Sequence, residues 1–129
     1  MPSLKHILFP VDFSEQNRAI APHVACMAAR YRARVTMLHV LETPTGVYPG
    51  WPEYPSMIDL PAMTEDRKRQ IHSFLKSEFE TVVTARLVLE GAPSQVIADY
   101  ATKEKVDLIM MPTHGYGPFR RFSPWLGHC

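Results

Sequence analysis

The 129-residue sequence has little cysteine: Cys26 and Cys129 are its two, too few for a disulfide framework. It has no apolar run approaching the about 18 residues that suggest a membrane span. No early stretch combines a basic start, a continuous apolar segment and a small-residue cleavage site, so the expected compartment is the cytoplasm. Charge of one sign is not in excess. Fourteen Lys and Arg stand against 13 Asp and Glu, a net charge of +1, which gives no general attraction to nucleic acid or to an anionic membrane, and neither is expected as a partner. The pattern G-x-x-x-x-G-K-[ST] is missing, which excludes a P-loop, and so is the full G-x-G-x-x-G dinucleotide fingerprint.

What is present describes an ordinary globular domain. Hydrophobic residues make up 46% and charged residues 21%, near the average for folded domains, and the length suits one domain with a core of its own. Proline is the one excess: of 12 in the chain, Pro44, Pro49, Pro52, Pro55 and Pro61 crowd one stretch.

The chain alternates strand and helix signals. His6 to Phe9 with Val11 is a short apolar run suited to a strand buried on both faces. Ser14 offers a helix N-cap with Glu15 in the first turn, and Ile20, Val24, Met27 and Tyr31 form a helical stripe. Pro22 inside that helix predicts a kink or a late start. Val35–Leu41 reads as a central strand. Glu42–Ala62, with Tyr48, Trp51 and Tyr54, is a long loop of the kind that is usually functional or mobile. A second helix is expected from about Met63, with Ile71, Phe74, Leu75 and Phe79 on one face and Arg67, Lys68 and Arg69 on a solvated one. Arg86–Leu89 is a third strand, beginning as early as Val82. Pro93 opens a third helix with the stripe Val96, Ile97, Tyr100 and Ala101, and Val106–Met111 is a fourth strand.

This order, β-α-β-loop-α-β-α-β, predicts an α/β fold: an open, doubly wound parallel sheet of about four strands with helices on both faces. Ligands of such sheets sit beyond the carboxyl ends of the strands, where the strand order reverses. Two strand ends carry suitable residues. Pro10-Val11-Asp12 sets a carboxylate past the first strand; Thr113-His114-Gly115-Tyr116-Gly117 sets glycines, a hydroxyl and an imidazole past the fourth. Glycines there let backbone N–H groups face an anion, and Arg120 and Arg121 follow with charge for phosphate. Each has a plainer alternative. Asp12 suits an Asx turn or helix cap as well as a ligand contact, and the Gly-x-Gly turn suits a tight strand-to-helix connection. His23, Cys26, His128 and Cys129 lack compact metal-ligand spacing, so no metal site is expected.

Four blocks resemble the universal stress protein family in the right order. They are Lys5–Ser14, Ala33–Val40, Glu90–Pro93 and Val106–Gly115, and the resemblance runs from about Leu4 to Phe122. It implies a universal-stress-type domain over residues 1–122, adenine nucleotide alpha hydrolase-like in fold, often a homodimer. One branch of the family binds ATP, with Mg as a companion; another does not. By resemblance, Asp12 and Val40 flank adenine and ribose, Pro10 and Val11 shape the pocket floor, and Thr113, His114, Gly115, Gly117 and Arg120 lie toward the phosphates. The ATP-binding motif G-x-x-G-x₉-G-[ST] is altered here: its first glycine falls on Pro112, its second on Gly115, and its third on Trp125, followed by Leu126. Residues 123–129 form an atypical tail that reads like a truncation or a changed reading frame. The family's fifth strand is missing from it, which leaves Val106–Met111 as an apolar edge open to altered oligomers.

Three readings follow. The first is a stress-response regulatory domain that binds an adenine nucleotide and self-associates. The second is a homo-oligomeric interaction module with no nucleotide. The third, an enzyme acting on phosphate, is disfavoured because no positioned base and metal-ligand pair stands out, leaving weak ATP hydrolysis as the most it predicts.

Overall fold

The computed structural model describes residues 4–42 and 60–112. Seven elements follow in order: β1 (His6–Pro10), α1 (Glu15–Tyr31), β2 (Arg34–Leu41), α2 (Leu60–Ser73), β3 (Thr84–Glu90), α3 (Pro93–Lys103) and β4 (Leu108–Ile109). The strands form one parallel sheet in the order β3-β2-β1-β4. The chain therefore steps outward from β1 through β2 to β3, then returns to place β4 on the other side of β1. The order reverses at β1.

β1 is buried at all five positions, as its unbroken apolar run predicts for a strand covered on both faces. Alternate residues serve the two sides. Ile7, Phe9, Val35 and Met37 pack with Ile20, Ala21, Val24 and Ala28 of α1 and with Ile71, Phe74, Leu75 and Phe79. Leu8 and Leu38, wholly buried, point the other way, where right-handed crossover carries α3.

Ser14 caps α1 in a reciprocal box. Its Oγ accepts from the Asn17 amide at 3.3 Å, and the Asn17 side chain accepts from the Ser14 amide. Pro22 neither delays nor divides α1, which runs from Glu15 to Tyr31. It sits on the exposed side of the helix, where a missing N–H disturbs no packed residue. The buried stripe of α1 is also rotated from expectation. Asn17, Ile20, Ala21, Val24 and Ala28 are buried, while Tyr31 is 47% exposed.

Two elements are shorter than the sequence suggests. The helix expected to reach Phe79 ends at Ser73, and Leu75 takes a left-handed φ of 54°. Arg86 of β3 explains the stop. Its Nε donates to the Ile71 carbonyl at 2.9 Å, which also accepts from the Phe74 amide at 3.3 Å, and its Nη2 donates to the Phe74 carbonyl at 3.1 Å, just past the helix end. Ile71, Phe74, Leu75 and Phe79 are nevertheless all buried, as expected. α2 itself begins at Leu60, earlier than the expected Met63.

β4 has two ladder residues instead of six. The bonds Asp107 N–H to His6 O and Met110 N–H to Leu8 O, both 2.9 Å, flank the pairs Ile7–Leu108 and Leu8–Ile109 and hold this short strand to β1. β4 is the edge of the sheet among the described residues, with Ile109 40% and Met111 45% exposed. No helix among the described residues is long and apolar enough to cross a membrane.

Candidate functional site

A cleft of about 630 Å³ opens across the carboxyl ends of β1 and β2, at the reversal of strand order, and reaches Met111 and Pro112 beyond β4. Its size falls in the usual range for small-molecule sites. Pro10, Val11, Asp12, Val40 and Pro112 of the sequence-designated residues all line it. Thr113, His114, Gly115, Gly117 and Arg120 lie outside the described residues, as do Tyr48, Trp51 and Tyr54 and the tail 123–129.

The floor is the turn from β1 into α1, and it is held from several directions. The Val11 amide donates to the Leu38 carbonyl at 2.9 Å, closing the β1–β2 ladder. The Val11 carbonyl lies 2.9 Å from His39 Nδ1; a carbonyl only accepts, so Nδ1 carries the proton. Asp12 N–H donates to Asn17 Oδ1 at 2.7 Å, and Asp12 Oδ1 accepts from Ser14 N–H at 3.0 Å. That last bond is the Asx turn open from the sequence. Phe13 then adopts φ 64°, uncommon for a bulky residue. Its ring packs at 4.7 Å on His39 and edge-on at 5.1 Å against Phe74, whose ring Arg18 covers at 5.1 Å.

The walls differ in character. Toward α3 the lining is apolar, with Pro93, Ile97, Met111 and Pro112 near Val40. Toward α1 and α2 it is polar, with Gln16, His39, Arg67 and Gln70. Burial pushes the His39 imidazole below its ordinary pKa, the Val11 carbonyl pulls against that shift, and the charge of Arg67 adds to it. Asp12 opposes both downward influences. The neutral ring is thereby favoured, and its Nε2 has no hydrogen-bond partner among the described residues.

Arg67 is the main departure from the sequence reading, which set it with Lys68 and Arg69 on a solvated face. It lines the cleft, and its side chain is only 33% exposed. The signal was its spacing: Arg67 is one turn before the buried Ile71 and so shares its side of α2. Asn17 was also missed, although it follows Ser14 at capping-box distance.

A parallel α/β sheet with a cleft at its reversal point defines the doubly wound class. Within that class, the Universal stress protein family model matches residues 3–126, and the chain belongs to that family. It is 27% identical over 112 residues to universal stress protein A homolog 1 of Coxiella burnetii, covering 87% of this chain and 78% of the relative. It is 26% identical over 110 residues to universal stress protein A of Escherichia coli K12, covering 85% and 76%. Among solved structures, UspA from Lactobacillus plantarum superposes with a TM-score of 0.66 at 27% identity, over 93% of this chain and 85% of that one. A universal stress protein in complex with cAMP shares the fold, with a TM-score of 0.58 at 12% identity over 84% and 75%.

Proposed function

We propose that this chain is a cytoplasmic regulatory domain of the stress response that binds an adenine nucleotide in the cleft and acts through self-association. The observation that carries the reading is the meeting of Asp12 and Val40, from the ends of β1 and β2, in one cleft of about 630 Å³ at the sheet's reversal point. The lining fits such a ligand. Val40, Ile97 and Met111 offer an apolar wall for a flat base, and Asp12 offers an acceptor for a ribose hydroxyl. A neighbouring fold solved with cAMP bound supports the ligand class. ATP, accompanied by Mg, is the nucleotide that the altered phosphate motif still suggests.

The test is calorimetric titration of the nucleotide-free protein with Mg-ATP, paired with Asp12→Ala. Saturable binding near one ligand per chain, lost in a folded Asp12→Ala variant, supports the reading. Binding unchanged in the variant removes Asp12 from the site.

A second reading, a homo-oligomeric interaction module without nucleotide, is favoured by Pro112 and by β4. Proline has no N–H to offer a phosphate where the family motif places glycine. The two-residue β4 presents exposed Ile109 and nearby Met111 at the edge of the described sheet. Absence of any nucleotide heat, with a concentration-dependent oligomer in sedimentation, would favour this reading over the first.

A further inference from the structure

The end of the sheet opposite the cleft holds a buried histidine whose side-chain contacts require it to be neutral. His6 is 3% exposed and lies on the α3 side of the sheet, beside Arg34 and Thr36 of β2. Its Nε2 stands 2.7 Å from Thr36 Oγ1, and its Nδ1 stands 3.3 Å from Arg34 Nη2. Nδ1 has to accept there, because a guanidinium has donors alone, and the ring proton therefore sits on Nε2. A second proton, on Nδ1, would abolish that acceptor and set two cations against each other. Arg34 is exposed and free to swing into water; the buried ring is not.

The backbone of the same residue anchors the last strand. Asp107 N–H donates to the His6 carbonyl at 2.9 Å, while Asp107 Oδ2 accepts from the Lys5 and His6 amides at 2.9 and 3.0 Å. Beyond this clamp, β4 is held by its two ladder pairs and by the Met110 bond to Leu8. The connection from α3 into β4 carries Lys105 at a left-handed φ of 54°, uncommon outside glycine.

The charges facing the ring come from both sides. Among the described residues, Arg34 acts from β2, Glu104 and Asp107 act from the α3–β4 connection, and Lys5 precedes the ring in β1's approach. Burial, and then Arg34, hold the imidazole below its ordinary pKa; the Glu104 carbonyl and the carboxylates of Asp107 and Glu104 pull the other way. Bonds from the Lys5 and His6 amides keep the Asp107 carboxyl below its ordinary value, so it stays ionised while the ring titrates. A proton added at Nδ1 is thus repelled by Arg34 and drawn toward groups of the connection that Asp107 pins.

We propose that His6 is an acid-operated latch: the neutral ring holds the α3–β4 connection and the edge strand β4 against β1, and a proton on Nδ1 releases them. The proposal stands apart from the nucleotide reading. The released ring takes up its proton near the ordinary histidine value of about 6.5, and the latched ring only at lower pH. Latching is therefore complete above about pH 6.5 and is lost as pH falls toward the latched ring's own value. Met111 and Pro112 follow β4 into the cleft, so release at one end of the sheet loosens a wall of the site at the other.

The experiment is amide hydrogen exchange on the full chain, read residue by residue by NMR, at about pH 7.5 and about pH 5.5 on either side of the histidine value. Each rate is taken relative to the unprotected rate at the same pH, and the series is repeated in low urea. Protection at Asp107 and Met110, the amides that bracket β4, is expected to fall about tenfold over this range, the effect of one proton taken up at an ordinary histidine pKa. Low urea should leave both rates unchanged, which marks a local opening and not unfolding of the whole chain. His6→Gln offers a donor and an acceptor without taking up a proton, and is expected to abolish the fall. Arg34→Met, at an exposed position, serves if the buried variant fails to fold. Without the guanidinium the latched ring should titrate at higher pH and the fall should shrink. A fall that persists in folded His6→Gln, or is unchanged in Arg34→Met, overturns the proposal. So does protection in the unaltered chain that ignores pH, or that is lost only by the urea-sensitive route.

Discussion

His39 Nδ1 lies 2.9 Å from the Val11 carbonyl, so a side chain of β2 holds the backbone immediately before Asp12. The same imidazole packs against Phe13, the residue immediately after it. One side chain therefore grips the β1–α1 turn on both sides of its carboxylate. Replacing His39 with Phe keeps an aromatic surface against Phe13 but leaves the Val11 carbonyl without its donor. The expected loss is about 1–3 kcal/mol, the cost of an unsatisfied buried acceptor. Urea unfolding checks it, with the midpoint lowered and the slope unchanged.

His6 and His39 both predict a loss of stability in acid. His6 Nε2 is 2.7 Å from Thr36 Oγ1, and its Nδ1 is 3.3 Å from Arg34 Nη2. A guanidinium only donates, so Nδ1 accepts and Nε2 holds the proton. Burial pushes the His6 pKa down and Arg34 adds to that, against opposing effects from Glu104 and Asp107. The unfolded chain takes up protons near pH about 6.5, while the folded one resists them to lower pH. The unfolded state thus binds more protons, and stability rises with pH. The contribution is present above about pH 6.5 and is lost as pH falls through the folded values. Chemical denaturation at several pH values between 7.5 and 5.0 should show midpoints falling in acid, from about pH 6.5 downward. His6→Gln with His39→Gln should flatten the profile.

Ser14 and Asn17 share one capping box but should differ in cost. Ser14→Ala removes the bond to the Asn17 amide, worth about 1 kcal/mol for an N-cap. Asn17 is 1% exposed, and its Oδ1 serves the amide of Asp12 as well as that of Ser14. Asn17→Ala is expected to cost about 2–3 kcal/mol, because it strands a partly buried donor and opens a void. Parallel thermal melts should order the variants with Asn17→Ala the less stable.

Gly91 stands at φ 139°, where a side chain is strained. A Cβ there would also come within 2.8 Å of Val96 Cγ2. Gly91→Ala is expected to destabilise the chain by about 1–3 kcal/mol. It should also displace the start of α3, which brings Pro93 and Ile97 to the cleft. Amide shifts confined to that turn and to neighbouring β3 would locate the effect.

The parts legible from the sequence were those with a local cause. The apolar runs at His6–Phe9 and Val35–Leu41 announce buried strands, Ser14 announces a helix start, and Pro93 announces another. Alternation of these signals was enough to place Asp12 at the carboxyl end of a parallel sheet, whereas Val40 came to the site through the family resemblance. Distant partners hid the rest. The early end of α2 depends on Arg86, whose donors reach carbonyls at Ile71 and Phe74 from another strand. Apolar spacing through Phe79 could not reveal that stop, because those residues remain buried in the turns that follow. Arg67 was misplaced because a run of charged residues reads as a solvated face until one follows the spacing back from Ile71.

The brevity of β4 also makes it a sensor of what the cleft holds. A strand joined to its neighbour over two residues has few bonds to break before it opens, so it belongs among the segments that exchange amide hydrogens before global unfolding. Met111 and Pro112, just beyond it, line the cleft. Anything bound there that requires this wall in place must draw on the closed population alone, which couples occupancy to fraying. Slowed exchange at Met110, whose amide bonds to the Leu8 carbonyl, would then report an occupant from the edge of the sheet.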